Sequence, residues 1–248
     1  MGIFSYFANP NHFMKLSRIL FPILLGATAI FLGMGVYLGL FNSPADYQQG
    51  ETVRIMYIHV PAAWMALFVY TSMAVASLAG LIWRHLLADL YCRAVAVIGA
   101  GFTAICLITG AIWGEPTWGT WWVWDARLTS VLVLFFLYIG YIAIINAFDD
   151  EQRGLNAGAI LILIGFVNIP IIKFSVEWWS TLHQPASLTS INKLAQPAIH
   201  PDMLKPLIFM ALGYMCLFGT LAIMRLWREI NMRKCFKLSQ LQAEKAEK

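Results

Sequence analysis

Indole side chains crowd into one short segment of this sequence, and they are the first candidates for chemistry. Five of the ten tryptophans fall between Trp113 and Trp124, in the run WGEPTWGTWWVWDARLTS. Tryptophans of a membrane-surface belt normally spread over several helix ends. Crowding in one segment, with its backbone shaped by Gly114, Pro116 and Gly119, favours a stacking surface for a large, flat, apolar ligand. The indoles concerned are Trp113, Trp118, Trp121, Trp122 and Trp124.

Two of the five histidines flank this segment. His59 lies in the run YIHVPAAW and His183 in EWWSTLHQ. A single histidine at a membrane surface is more often a hydrogen-bonding residue than a ligand. Two of them beside an indole surface, however, are typical of axial ligation of haem iron. If the second run is helical, Trp179 and His183 share one helix face. No ligand role is predicted for His12, His85 or His200, although His200 remains an alternative because it lies on the same outer side as His59 and His183.

Charged groups close the tryptophan segment. The planar guanidinium of arginine pairs well with carboxylates. Arg127, and Arg54 in an earlier loop, are therefore candidates to face anionic groups of a ligand. The alternative for Asp125 and Arg127 is a local ion pair that caps the following helix.

Six apolar stretches must position these residues. Only 12% of the chain is charged and its mean hydropathy is +0.68, whereas soluble domains carry about a quarter charged residues. Each stretch approaches the roughly 20 residues that span a bilayer, and continuous apolar runs of this length indicate helices. We predict an all-α membrane protein, one domain over residues 1–248, with six transmembrane helices at Ile19–Phe41, Pro61–Trp83, Ala94–Trp113, Leu128–Phe148, Leu155–Phe174 and Met203–Leu226.

The lysines and arginines predict the orientation. Six helices place both termini on one side, and 12 of the 17 basic residues lie there. Cytoplasmic loops carry the excess of lysine and arginine, so both termini are predicted to be cytoplasmic. The connections on the other side are longer, and they include the tryptophan loop at about 114–127. A short cytoplasmic tail is predicted at about 227–248, as a frayed or solvated helix end.

Several kinds of function are disfavoured. The four cysteines form no CxxC pair, and none is predicted in an outer loop, so covalent attachment of a ligand is not expected. The sequence contains no GxxxxGK[ST] phosphate loop, so any dependence on ATP must come from a partner. The basic excess is explained by membrane orientation, and nucleic-acid binding is not predicted.

The run WGTWWVWDARLTS resembles the signature of the tryptophan-rich WWD family of haem-handling membrane proteins. Within that family, the length and the six helices are similar to the CcmC type. The contexts HVPAAW at His59 and WWSTLH at His183 resemble CcmC as well. The resemblance covers nearly the whole chain.

The resemblance implies a protein of the bacterial inner membrane that functions in cytochrome c biogenesis and is not an enzyme. It implies non-covalent haem b with His59 and His183 as the two iron ligands. The haem would be presented on the periplasmic face, on a platform around Trp118–Asp125, and delivered to the haem chaperone CcmE. The implied partners are the ABC subunits CcmA and CcmB, the small membrane protein CcmD and membrane lipid.

Three other functions remain open from the residues. A b-type electron-transfer cytochrome usually buries paired histidines between helices, whereas these two lie at helix ends. A permease subunit without its own haem site would usually carry polar or broken helices near the midplane. A complete cytochrome c synthase would need a further site for the apocytochrome, and this short chain offers little room for one.

Overall fold

The computed structural model describes residues 9–183 and 199–246. Seven α-helices make up most of this part of the chain. They are α1 (Pro10–Tyr37), α2 (Met56–Trp83), α3 (Leu86–Trp118), α4 (Ala126–Ile144), α5 (Glu151–Gly165), α6 (Asn168–Trp178) and α7 (Pro201–Ala246). A short π-helical turn (Leu38–Asn42) and a 3₁₀ turn (Glu51–Ile55) lie between α1 and α2.

Within the described residues, six helical segments are long and apolar enough to cross a membrane, which confirms the predicted fold class. The fifth of them consists of α5 and α6, because the helix is interrupted at Phe166–Val167. Pro170 lacks an N–H for the carbonyl of Phe166, which accepts from Ile169 at 3.0 Å instead. The Asn168 side chain donates to the Ser130 carbonyl of α4 at 2.8 Å and secures the break.

The tryptophan loop is shorter than predicted. The expectation of a loop is wrong for Gly114–Trp118, because α3 continues through these residues. The helix ends where Gly119, whose N–H donates to the Glu115 carbonyl at 2.9 Å, adopts φ 74°, a conformation that glycine accepts without strain. Residues 227–246, predicted as a tail, continue α7 as helix.

Helices α2 and α3 pack along each other at the centre of the bundle. Helix α7 lies against both of them and carries α1 on its outer side, while α4 packs on α3, α5 and α6. Close approach of α1 and α7 depends on small residues. An added Cβ at Gly35 would lie 2.7 Å from the Met210 side chain, and one at Gly213 would lie 2.5 Å from that of Leu32.

A tyrosine layer closes the middle of the bundle. Tyr70 of α2 and Tyr138 of α4 are fully buried, and their rings meet edge to face with centroids 5.2 Å apart. The Tyr138 hydroxyl donates to the Ala66 carbonyl at 2.8 Å. Gly99 and Gly165 make room for the two rings, since a Cβ at either position would lie within 2.3 Å of a tyrosine atom. Leu134, one turn before Tyr138, is also fully buried and lines the space described next.

Candidate functional site

One end of the bundle, which we call the loop end, comprises residues 38–55, 119–125, 179–183 and 199–200. A cavity of about 920 Å³ opens there between the ends of α2, α3, α4, α6 and α7. Its volume lies in the upper part of the ~300–1,000 Å³ range of small-molecule and cofactor pockets. Several predicted site residues line it, namely His59, Trp113, Trp118, Trp122, Arg127 and His183.

His59 enters the cavity from the first turn of α2. Its Nδ1 lies 3.1 Å from Thr109 Oγ1 on α3. The Thr109 hydroxyl proton is committed to the Ile105 carbonyl at 2.6 Å, so toward His59 the oxygen accepts. Nδ1 therefore carries the ring proton, and Nε2 keeps a free electron pair. Gly110 leaves space for the ring, because a Cβ there would lie 2.9 Å from His59 Cε1.

Trp113 holds the same imidazole from another side. The two rings meet edge to face, with centroids 5.6 Å apart and planes 74° apart. The Trp113 Nε1 donates to Gln49 Oε1 at 2.9 Å, which joins α3 to the loop before α2. His59 is therefore held by a hydrogen bond and a ring contact before any ligand binds.

His183 reaches the cavity by a different route from the one predicted. The expectation that Trp179 and His183 share a helix face is wrong, because α6 ends at Trp178 and Trp179 is extended, with φ −135° and ψ 155°. The Trp179 N–H still donates to the Ser175 carbonyl, and the chain then turns toward the cavity. There the His183 ring packs on Trp118, with centroids 4.9 Å apart and planes tilted by 58°.

The protonation of His183 suits a metal ligand. Burial lowers the pKa of its imidazole to about 4, and the positive charge of Arg127 acts in the same direction, against the opposing effect of Asp125. The ring is therefore neutral at neutral pH. A neutral imidazole has the free electron pair that iron requires.

Asp125 lies between the loop and α4. Its Oδ1 accepts from the Leu128 N–H at 2.7 Å, which confirms that it caps the helix. Its Oδ2 lies 3.9 Å from His183 Nδ1. Both of these atoms are buried, and neither forms a hydrogen bond within residues 9–183 and 199–246.

The two arginines are placed differently. Arg127 lines the cavity and donates through Nε to Ser175 Oγ at 2.6 Å, and in the described ranges it forms no ion pair with Asp125, so that alternative is not found. Arg54 does not line the cavity. It pairs with Glu51 and donates through Nη1 to the Gly39 carbonyl.

The tryptophans divide into two groups. Trp113, Trp118 and Trp122 line the cavity. Trp121 and Trp124 do not, and their residues are 60% and 77% exposed. The segment therefore has an inner surface of three indoles and an outer surface of two.

Some residues of the site escaped prediction. Thr109 and Gly110, which hold and accommodate His59, lie inside an apolar run. A polar residue in such a run usually faces the bundle interior, and this signal would have singled out Thr109. The thiol of Cys106, buried in α3, also lines the cavity, although no cysteine was predicted in an outer loop. His200 lies at the cavity as well, but its Nδ1 accepts from the Asp202 N–H at 3.3 Å at the start of α7.

The side chains around the cavity suit a metal whose ligands come mostly from a bound macrocycle, rather than a bare metal ion. Within the described ranges, no group of three or more His, Cys, Asp or Glu side chains is arranged to hold a bare metal ion. The imidazoles of His59 and His183, three indoles and the Arg127 guanidinium around a large cavity instead fit a flat macrocycle with a central iron and anionic substituents.

A sequence model of the CcmC family, described as heme exporter protein C, matches residues 3–241. The chain belongs to the CcmC family. It is 48% identical to heme exporter protein C of Bradyrhizobium diazoefficiens over 238 residues, which cover 96% of this chain and 89% of that protein. It is also 48% identical to heme exporter protein C of Escherichia coli, over 88% of this chain and 87% of that protein. The six apolar helices and these relatives together show that the chain is a multi-pass membrane protein.

A third relative extends the family beyond bacteria. A ccmC-like mitochondrial protein of cytochrome c biosynthesis from Marchantia polymorpha is 44% identical over 216 residues. These residues cover 87% of this chain and 90% of that protein. Membership of the CcmC family therefore connects the chain with cytochrome c biogenesis.

Proposed function

We propose that this chain binds haem b non-covalently at the loop end, with His59 and His183 as the two iron ligands. The observation that carries the proposal is their position. Although 124 residues separate them in the chain (183 − 59), both histidines line one cavity together with three indoles. The relatives named heme exporter protein C support haem as the cargo.

The cavity offers each part of haem a partner of matching chemistry. The indoles of Trp113, Trp118 and Trp122 suit the apolar ring. The Arg127 guanidinium is held through Nε by Ser175, which leaves its terminal nitrogens to pair with a propionate. Iron would bind the Nε2 atoms of the two imidazoles, which the surrounding contacts already orient.

In the cell, we place the loop end on the periplasmic side of the bacterial inner membrane, as the distribution of basic residues predicts. There the chain would pass haem to the chaperone CcmE, in a complex with CcmA, CcmB and CcmD. The exposed indoles of Trp121 and Trp124 provide an apolar contact surface for the chaperone. The chain positions haem and acts as a handling protein, not as an enzyme.

The test is the absorption spectrum of the protein purified in detergent, with haem quantified by the pyridine haemochrome method. Wild type is expected to carry b-type haem, and His59→Ala and His183→Ala to lose it or change its spectrum. His85→Ala is the matched control, because His85 caps α3 at the opposite end of the bundle. Unchanged spectra in both ligand variants would refute the assignment. Failure of wild type to bind supplied haem would refute haem binding itself.

Non-covalent binding has its own test, because the Cys106 thiol lines the cavity. Haem is expected to leave wild type completely on extraction with acidified acetone. Cys106→Ala should retain the same haem content. Haem that resists extraction in wild type but not in Cys106→Ala would show a covalent bond.

A further inference from the structure

The second ring nitrogens of the two histidines meet different groups. His59 Nδ1 lies 3.1 Å from a neutral hydroxyl, that of Thr109, and the ring also meets a neutral backbone group of Cys106. His183 Nδ1 faces a carboxylate oxygen, Asp125 Oδ2, at 3.9 Å. This difference does not follow from the presence of two histidines, because it depends on residues from two other elements.

The Asp125 carboxylate is fixed by the fold. Its Oδ1 accepts from the Leu128 N–H at the start of α4, and this contact aims Oδ2 at the loop that carries His183. Oδ2 and His183 Nδ1 are both buried without a hydrogen bond to the described chain. A ring shift of about 1 Å would bring them into hydrogen-bond range. Iron on Nε2 requires the proton on Nδ1, and metal-bound histidines almost always donate that proton to a carboxylate, a carbonyl or water.

The Thr109 hydroxyl is fixed in a different way. It donates to the Ile105 carbonyl and therefore offers His59 only a neutral oxygen. An imidazole that donates to a carboxylate gains electron density and becomes a stronger ligand, whereas one that donates to a hydroxyl changes little.

We propose that Thr109 and Asp125 are positioning residues that make the two iron bonds unequal. The bond from His183 to the iron would be the stronger, and the bond from His59 to the iron would break first. This inference rests on the proposed function. Another ligand, such as a chaperone side chain, would then enter on the His59 side of the haem, and the His59 imidazole would leave the iron with its electron pair on Nε2.

Carbon monoxide on the reduced protein provides the test, because it replaces one histidine and its vibrational frequency reports the donor strength of the opposite ligand. We expect Asp125→Asn to shift the frequency, since asparagine still caps α4 but lacks the negative charge. Thr109→Val should leave the frequency unchanged and raise the affinity for carbon monoxide several-fold, and Thr109→Ser should restore the wild-type affinity.

The opposite pattern, a shift in Thr109→Val and none in Asp125→Asn, would overturn the inference, as would equal shifts in both. If Asp125→Asn fails to retain haem, Asp125→Glu keeps a carboxylate and is expected to retain it with a frequency near wild type. If Asp125→Glu also fails to retain haem, the carbon monoxide frequency of Thr109→Val is the remaining test: an unchanged frequency supports the inference, and a shift overturns it.

Wild type with a two-histidine spectrum but none of these shifts would overturn this inference and leave the proposed function standing. Wild type without haem would remove both.

Discussion

The His183 imidazole packs against the Trp118 indole with ring centroids 4.9 Å apart, although 65 residues separate them (183 − 118). This contact joins the end of α3 to the segment after α6. Gly114 leaves space for the indole, because a Cβ there would lie 3.2 Å from Trp118 Cε3. A residue of the tryptophan segment therefore acts on a candidate iron ligand directly.

Replacing Trp118 tests the inner surface of the segment. Trp118→Ala removes the ring that holds His183, and we expect haem affinity to fall roughly tenfold, since aromatic pairs contribute about 0.5–1.5 kcal/mol beyond their buried area. Haem titration followed by absorbance measures this. Trp124→Ala is the matched control, because Trp124 is exposed outside the cavity; it should keep the haem and slow transfer to CcmE. Equal loss of affinity in both variants would contradict the division into two surfaces.

Glycine substitutions on α3 test the space for His59. A Cβ at Gly110 would lie 2.9 Å from His59 Cε1, so Gly110→Ala should displace the imidazole and lower haem content. Gly101→Ala on the same helix meets nothing within 4 Å, and should keep haem while adding roughly 0.5–1 kcal/mol of helix stability. Haem content per protein and the melting temperature in detergent check both variants. Normal haem in Gly110→Ala would show that His59 is not confined in this way.

The Arg127 side chain can be tested with a modified ligand. If its guanidinium pairs with a propionate, wild type should bind haem roughly 10–100-fold more tightly than haem dimethyl ester, since hydrogen bonds to charged groups contribute about 1.5–3 kcal/mol. Arg127→Gln should abolish that preference. Arg54→Gln should keep it, because Arg54 lies outside the cavity lining. A preference that survives in Arg127→Gln would assign the propionates to another group.

The buried His183 predicts a pH dependence of stability in the haem-free protein. The pKa of its imidazole is lowered from 6.5 to about 4 in the fold, chiefly by burial. Folding therefore favours the neutral ring, and this contribution is complete above pH 6.5 and is lost as the pH falls toward 4. It is at most about 3 kcal/mol, and less for the hydrated part of the ring.

Melting temperatures of wild type and His183→Gln, measured in detergent between about pH 7 and pH 4.5, isolate this effect. The wild type should lose more stability on acidification than the variant. His200→Gln is the control, because its side chain is 60% exposed, and it should follow the wild type. Parallel curves for wild type and His183→Gln would show that this histidine does not contribute.

The six spans could be predicted from the sequence because each is a long apolar run, and lipid leaves the backbone no alternative to a helix. The helix ends could not. Pro116 and two glycines predicted a loop from residue 114, yet Gly114–Trp118 stay helical, and the helix ends only at Gly119, where φ is positive. The break between α5 and α6 also depends on a tertiary contact, the bond from Asn168 to Ser130.

The candidate site was partly predictable for a similar reason. His59, His183 and the indole cluster are conspicuous by residue type. Which indoles face inward depends on how α3 ends and where the loop turns, and the sequence pattern contains neither. Thr109 holds His59 through a hydrogen bond across two helices that only the packed bundle reveals.

The tyrosine layer beneath the cavity has a consequence for the energetics of the whole membrane. Tyr70 and Tyr138 are fully buried, and so is Leu134, which lines the cavity. A continuous water-filled path through the bundle would let protons and ions cross the membrane and dissipate their gradients. These three side chains are out of reach of water, and such packing beneath the cavity lets cargo be exchanged at the loop end while the membrane keeps its electrical insulation.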